Sequence, residues 1–244
     1  MTKARIKKLI RKAHRYMGLF LGIQFLFWTL GGLYFSWSDI REIRGEDIRN
    51  EGSSLVLTGK YVPPDSVLNE ARKKYAILRL ISVQLIDLLG QPYYQVSFQT
   101  NQRVKAVLAS AITGELKGPL NEAEAIAVAK RSLIHPVEPA SVTYITETNG
   151  HHEYRGKALP AYAVTFKEDM NSTVYVSAEM GTVQSFRNNR WRVFDILWMM
   201  HTMDYQGRDN FNNWILRIFS ALGLLAIISG FMLYLVSIPK SRKS

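Results

Sequence analysis

Two stretches of this chain lack the mixing of apolar and polar positions found along the rest of it. From Tyr16 to Ser38 there is no charged residue, and Leu19, Phe20, Leu21, Ile23, Phe25, Leu26, Phe27, Leu30, Leu33 and Phe35 leave almost no polar face. A helix of that length runs roughly 35 Å, enough to cross a hydrocarbon core of about 30 Å with some tilt. A second uncharged run, Ile218 to Pro239, is rich in Leu, Ile, Ala and Gly. The pattern predicts transmembrane helices over 16–38 and 213–239. In the second, Gly223 and Gly230 share a face with Ala226 and Ile227, and small residues there predict close contact with the first span.

Between the spans, residues 39–190 carry the signature of a folded domain, and the pattern repeats. Tyr94-Gln95-Val96-Ser97-Phe98 alternates as a strand, Val104–Leu108 follows, and Thr113-Gly114-Glu115 marks a turn. Tyr162–Phe166, Thr173–Val176 and Met180-Gly181-Thr182 restate the series with an offset of about 67 residues. A helical stretch precedes each series, at 64–75 and 121–133, and Asn121 is placed to cap the second. Further strands are expected at 78–88 and 140–147. Each unit is a helix on a small antiparallel sheet, too small to bury much alone, so the two are expected to pack as one α+β domain.

Charge changes the picture through its distribution. Of 244 residues, 31 are Lys or Arg and 20 are Asp or Glu, a net charge of +11. Seven basic residues fall in 1–15 and three in 240–244, with no acid in either, so ten of the eleven net charges lie in two tails. Lys and Arg favour the cytoplasmic side, which places both termini there, makes the protein multi-pass and puts the central domain outside. The basic excess therefore records orientation and gives no reason to expect a nucleic-acid partner. Arg187, Arg190 and Arg192, with Trp191 among them, precede the stretch expected to lie along the membrane surface and suit phospholipid headgroups of the bilayer. The first span is expected to be a retained anchor, since 31–36 offers no small-x-small cleavage site. With no cysteine, disulfides, thiolate metal sites and cysteine nucleophiles are excluded.

Three features together resemble a known family. The basic tail ends in Arg11-Lys12-Ala13-His14-Arg15-Tyr16-Met17-Gly18-Leu19, the paired units close on Thr113-Gly114-Glu115-Leu116 and Gly181-Thr182-Val183, and Trp198-Met199-Met200-His201 precedes the last span. The whole chain resembles PepSY-associated transmembrane proteins, in a two-span form where many members have four. The resemblance implies a membrane protein with two transmembrane α-helices flanking an exterior, periplasmic α+β domain of two PepSY-like helix-plus-antiparallel-sheet repeats. It also implies a bacterial inner membrane and, for some members, ferric-siderophore reduction with haem b held by histidines of the membrane helices. Isolated PepSY modules are associated with inhibiting or chaperoning peptidases, which implies a rival role: a non-catalytic anchored module that binds a peptidase, peptide or envelope complex.

Five histidines are available for such chemistry, at 14, 135, 151, 152 and 201. His14 stands at the inner mouth of the first span, with Gly18 and Gly22 one and two turns on along the same face. A bare strip beside a histidine leaves room for a flat macrocycle, but the same strip lets two helices pack closely, and a histidine among basic neighbours can equally be an interfacial residue contacting lipid phosphates. Residues 191–203 are expected to form an amphipathic interfacial helix carrying Phe194, Leu197, Trp198 and His201 on one side, followed by a turn to 212. His201 then faces outward, about 30 Å from His14, too far for one haem to join both. Bis-histidine ligation would need a homodimer or a larger membrane complex. For His201 a hydrogen-bonded interface histidine near Asp204 and Tyr205 is an equal reading. His151 and His152, with Glu153, are weak metal candidates at a polar hairpin tip. No G-x-S-x-G, P-loop, H-E-x-x-H or G-x-G-x-x-G pattern occurs, so an accessory or electron-transfer subunit is expected before a self-sufficient enzyme.

Overall fold

The computed structural model describes residues 3–50, 59–167 and 170–237. In chain order the elements are α1 (Lys3–Trp37), α2 (Ile40–Ile43), α3 (Pro64–Lys74), β1 (Arg79–Leu88), β2 (Gln91–Gln99), β3 (Val104–Ser110), β4 (Leu116–Lys117), α4 (Glu122–Arg131), β5 (Ser141–Ile145), β6 (Ala161–Phe166), β7 (Ser172–Ser177), β8 (Val183–Arg187), α5 (Asn189–Thr202) and α6 (Trp214–Ser237). They form two compact units, one made of Ile40–Arg192 and the other of α1 with the chain that follows Arg192.

In the α1 unit, two helices are long and apolar enough to cross a membrane, over Lys8–Trp37 and Trp214–Leu235. Helix α1 starts inside the basic segment, because Lys, Arg, Ala and Leu are good helix formers and neither Gly nor Pro intervenes before Gly18. The expected tail at 240–244 lies outside the described residues. Helix α6 is started by Asn213, whose Oδ1 accepts the N–H of Leu216 at 2.8 Å. Where α1 and α6 meet, Phe20 stacks on Phe219 at 5.2 Å, and a Cβ built on Gly223 would lie 3.3 Å from Phe25. The small-residue face of α6 is thus the face that packs on α1.

The Ile40–Arg192 unit holds the repeat. Its sheets run β1-β2-β3-β4 and β5-β6-β7-β8, antiparallel throughout. Val96 pairs with Val107 in the first and Val164 with Val174 in the second. Helix α3 places Pro64 and Asp65 in its first turn and Arg72, Lys73 and Lys74 in its last, as the helix dipole favours. Helix α4 opens on a capping box in which Asn121 Oδ1 accepts Glu124 N–H and Glu124 Oε2 accepts Asn121 N–H, both at 2.9 Å. Burial raises the Glu124 carboxyl, but bonds from Lys117 and from the Asn121 backbone outweigh it and hold the group below its ordinary range.

Alternation along β2 explains how the repeats combine. Tyr94, Val96 and Phe98 point one way and pack on Val67, Leu68 and Ala71 of α3. On the other face Leu88 and Leu108 join Ala125, Ala129, Val164, Phe166, Val174 and Val176 in one core. Gln95, also turned that way, donates to the carbonyl of Met180 at 2.7 Å, and Leu120 N–H donates to Ala178 at 2.8 Å. The first sheet is covered by its helix on one side and by the second repeat on the other, so neither module is complete alone. Pattern reading missed β4, only two residues long, and β8. Both are the fourth strands, laid down after turns at Gly114 (φ +80°) and Gly181 (φ +68°), conformations that an L side chain resists.

Candidate functional site

In the α1 unit, His14 lies about 20° and Leu21 about 40° to one side of Phe25 around α1, while Gly18 and Gly22 lie about 20° and 60° to its other side, at 100° per residue. That rotation separates the histidine from its glycines. His14 turns toward α6: its Nδ1 lies 2.8 Å from Ser229 Oγ, and a Cβ on Gly230 would lie 3.4 Å from its Cε1. Ser229 Oγ in turn donates to the carbonyl of Ala226 at 2.8 Å. A Cβ on Gly18 or on Gly22 would meet nothing within 4 Å. The strip is open, and the α1–α6 contact does not use it.

His201 sits near the end of α5, which runs antiparallel along the C-terminal half of α1. Phe35 contacts Phe194 at 4.9 Å, while Trp28 and Phe35 lie 6.0 and 6.1 Å from the His201 ring. Trp198 stacks on that ring at 6.3 Å, nearly parallel at 11°. The final carbonyls of α5 have no intrahelical partner. Trp28 Nε1–H donates to the carbonyl of His201 at 2.9 Å, and Gln24 Nε2 to that of Met200 at 2.8 Å. His201 Nδ1 is buried and has no hydrogen-bond partner among the described residues. The interface reading, with Asp204 or Tyr205 as partner to the ring, has no such contact among the described residues.

The turn after α5 is organised by one carboxylate. Asp204, buried, accepts backbone N–H groups from Gln206, Gly207, Asp209 and Asn210 at 2.9–3.4 Å. Burial alone would raise its pKa, but these four donors outweigh it and hold the carboxyl below its ordinary range. Arg208 pairs with buried Asp195 of α5, and Asn213 Nδ2 donates to Thr202 at 2.9 Å. Nothing in the local pattern says which carboxylate folds the turn and which pairs across it.

His201 lies beside Trp28, short of the end of α1, and its distance from His14 is correspondingly less than expected. Fourteen positions along α1 amount to about 21 Å. Two imidazoles on one metal, each about 2 Å from it, cannot span that gap. His14 fits a ligand role, with one ring nitrogen hydrogen-bonded and a bare helix surface alongside. His201 also offers one imidazole, though its ring is stacked and its Nδ1 is enclosed.

The Ile40–Arg192 unit holds the remaining candidates. His152 Nδ1 accepts Tyr154 N–H at 3.0 Å, so its proton is on Nε2 when the ring is neutral. His151 is exposed beside it, and no group of three metal-ligating side chains forms among the described residues. Tyr154 stacks on Tyr175 at 4.8 Å, and burial followed by the Glu153 charge pushes the Tyr175 phenol up to about 12. The arginines expected to meet headgroups have internal partners. Arg190 bridges Glu42 at 2.7 Å and Asp47 at 3.4 Å, Arg192 bridges Glu153 at 3.1 Å, and Arg187 lies 4.0 Å over the Trp191 ring. Ser229, Gln24 and Trp28 were not singled out from sequence, since a polar residue in an apolar helix gives no sign of its partner.

Neither a curated protein nor a solved structure matched the chain. A family model described as the PepSY-associated TM region matches residues 1–237.

Proposed function

Because the chain belongs to the PepSY-associated transmembrane family, we propose that it is a haem-binding electron-transfer component of a bacterial inner membrane, of the kind that serves ferric-siderophore reduction. The observation that carries this reading is the setting of His14. Ligating histidines characteristically have their second ring nitrogen hydrogen-bonded, and His14 Nδ1 is so placed against Ser229. Haem held there would supply one-electron transfer.

This chain's residues would do the rest. His14 would offer one ring nitrogen at the inner end, Gly18 and Gly22 leave the adjoining helix surface bare, and His201 would offer a second position among Trp28, Phe35 and Trp198. Each position provides one imidazole, so a second copy of the chain or a partner subunit completes the pair. The basic segment 1–15 keeps the His14 end cytoplasmic and the central domain periplasmic.

A second reading has its own observation. Strand β1 is a ten-residue edge, and it exposes Leu80 and Ile81 beside exposed Leu78. An extended peptide could add to such an edge, which favours an anchored binding module. Absorption spectra of the detergent-purified full chain from haem-replete cells, oxidised and dithionite-reduced, separate the two. A Soret band lost in His14→Ala or His201→Ala supports the first reading. A colourless protein rejects it and leaves the binding module.

A further inference from the structure

We infer that Ser229 is a positioning residue that fixes the tautomer of His14, holding its proton on Nδ1 and presenting the lone pair at Nε2. A serine hydroxyl has one hydrogen to donate and lone pairs to accept with. Ser229 Oγ lies 2.8 Å from the Ala226 carbonyl, which can only accept, and 2.8 Å from His14 Nδ1, which can do either. Both contacts are made at once only if the hydroxyl gives its hydrogen to Ala226 and receives one from Nδ1–H. The opposite tautomer would force the hydroxyl to choose one partner and lose the other.

The geometry requires two further residues. Gly230 follows Ser229 on α6, and the missing side chain lets the imidazole edge come within 3.4 Å of where a Cβ would stand. Ala226 lies one turn before Gly230 and supplies the carbonyl that orients the hydroxyl. The ring is therefore held by Nδ1 and Cε1 against α6, and its second nitrogen is left as the acceptor. In water a neutral imidazole prefers its proton on Nε2, so the α6 contact reverses the ordinary preference. As regards haem, this rests on the function proposed above. The tautomer itself does not.

The test uses the full chain in detergent with 15N-labelled histidine, at a pH where the ring is neutral. The His14 signals are assigned by their loss in His14→Gln. The expected result is Nδ1–H in the wild type, a shift toward Nε2–H in Ser229→Ala, and restoration in Ser229→Thr. An Nε2–H wild type, or a Ser229→Ala spectrum that matches the wild type, overturns the inference. If haem is bound, Ser229→Ala should also weaken it by about tenfold or more and raise its midpoint potential, because a less polarised imidazole is a poorer donor to ferric iron. Failure to bind haem with the NMR result intact would reject the proposed function and leave the tautomer assignment standing.

Discussion

The indole nitrogen of Trp28 donates a hydrogen bond to the carbonyl oxygen of His201, 2.9 Å away and 173 residues later in the chain. Together with Gln24 on Met200, it supplies the terminus of α5 with the donors that water gives a helix in solution. In a low-dielectric setting those carbonyls would be costly to leave bare. Trp28→Phe keeps an aromatic ring against His201 but removes the donor, and is expected to cost about 1–3 kcal/mol. Gln24→Leu should cost a similar amount. Thermal unfolding of the detergent-solubilised chain checks both, and an unaltered midpoint in each would show that this terminus finds other donors.

The two glycine sets should respond oppositely to bulk. Gly223→Leu drives a side chain into Phe25, already 3.3 Å from where a Cβ would stand, and is expected to separate α6 from α1. A Cβ on Gly18 meets nothing within 4 Å, so Gly18→Leu should leave that pairing intact. Disulfide trapping between cysteines placed on α1 and α6 reads the difference. Equal trapping in both variants would contradict the assigned contact face.

Repeat-equivalent glycines should also differ in cost. Gly114 and Gly181 both have positive φ, but a Cβ on Gly181 would lie 2.8 Å from buried Leu108, whereas on Gly114 its nearest neighbour is Val62 at 3.6 Å. Gly114→Ala should cost about 1–2 kcal/mol from backbone strain. Gly181→Ala adds an overpacking cost of about 1–3 kcal/mol. Protease susceptibility of the central domain in the full chain should rise more for Gly181→Ala, and the reverse order would refute the packing argument.

Acid should weaken the turn after α5 through Asp204. A carboxyl held below its ordinary range contributes stability that is fully present above the unfolded pKa and lost as pH falls through the folded one. Asp204→Asn removes that contribution. The stability gap between wild type and Asp204→Asn should be widest near neutral pH and narrow on acidification below the usual carboxylate range. Denaturation at a series of pH values measures it, and a gap independent of pH would assign the turn's stability elsewhere.

Features that depend on near neighbours were legible in the residues. The uncharged run before Trp37 foretold α1, though not its start within the basic segment. Asn121 marked the cap of α4, and the recurrence of the strand and turn series at an offset of about 67 residues exposed the repeat. Strand β4 was missed because two residues, Leu116 and Lys117, are too few to show alternation. The placement of α5 was missed because the same stripe of Phe194, Leu197, Trp198 and His201 suits a bilayer surface or the flank of another helix.

By itself the sequence determined two apolar helices, the basic segment before the first, and a central domain of two like units, because periodicity and charge act over a few residues. Only the tertiary structure decided what the histidines face. Ser229 reaches His14 across 215 residues because the rotation of α6, set where Gly223 admits Phe25, turns that hydroxyl inward. His201 meets Trp28 because the turn built on Asp204 and the packing of Phe35 against Phe194 set the depth of α5. Helix rotation and depth depend on the fit of side chains distant in the chain, and no local pattern encodes them.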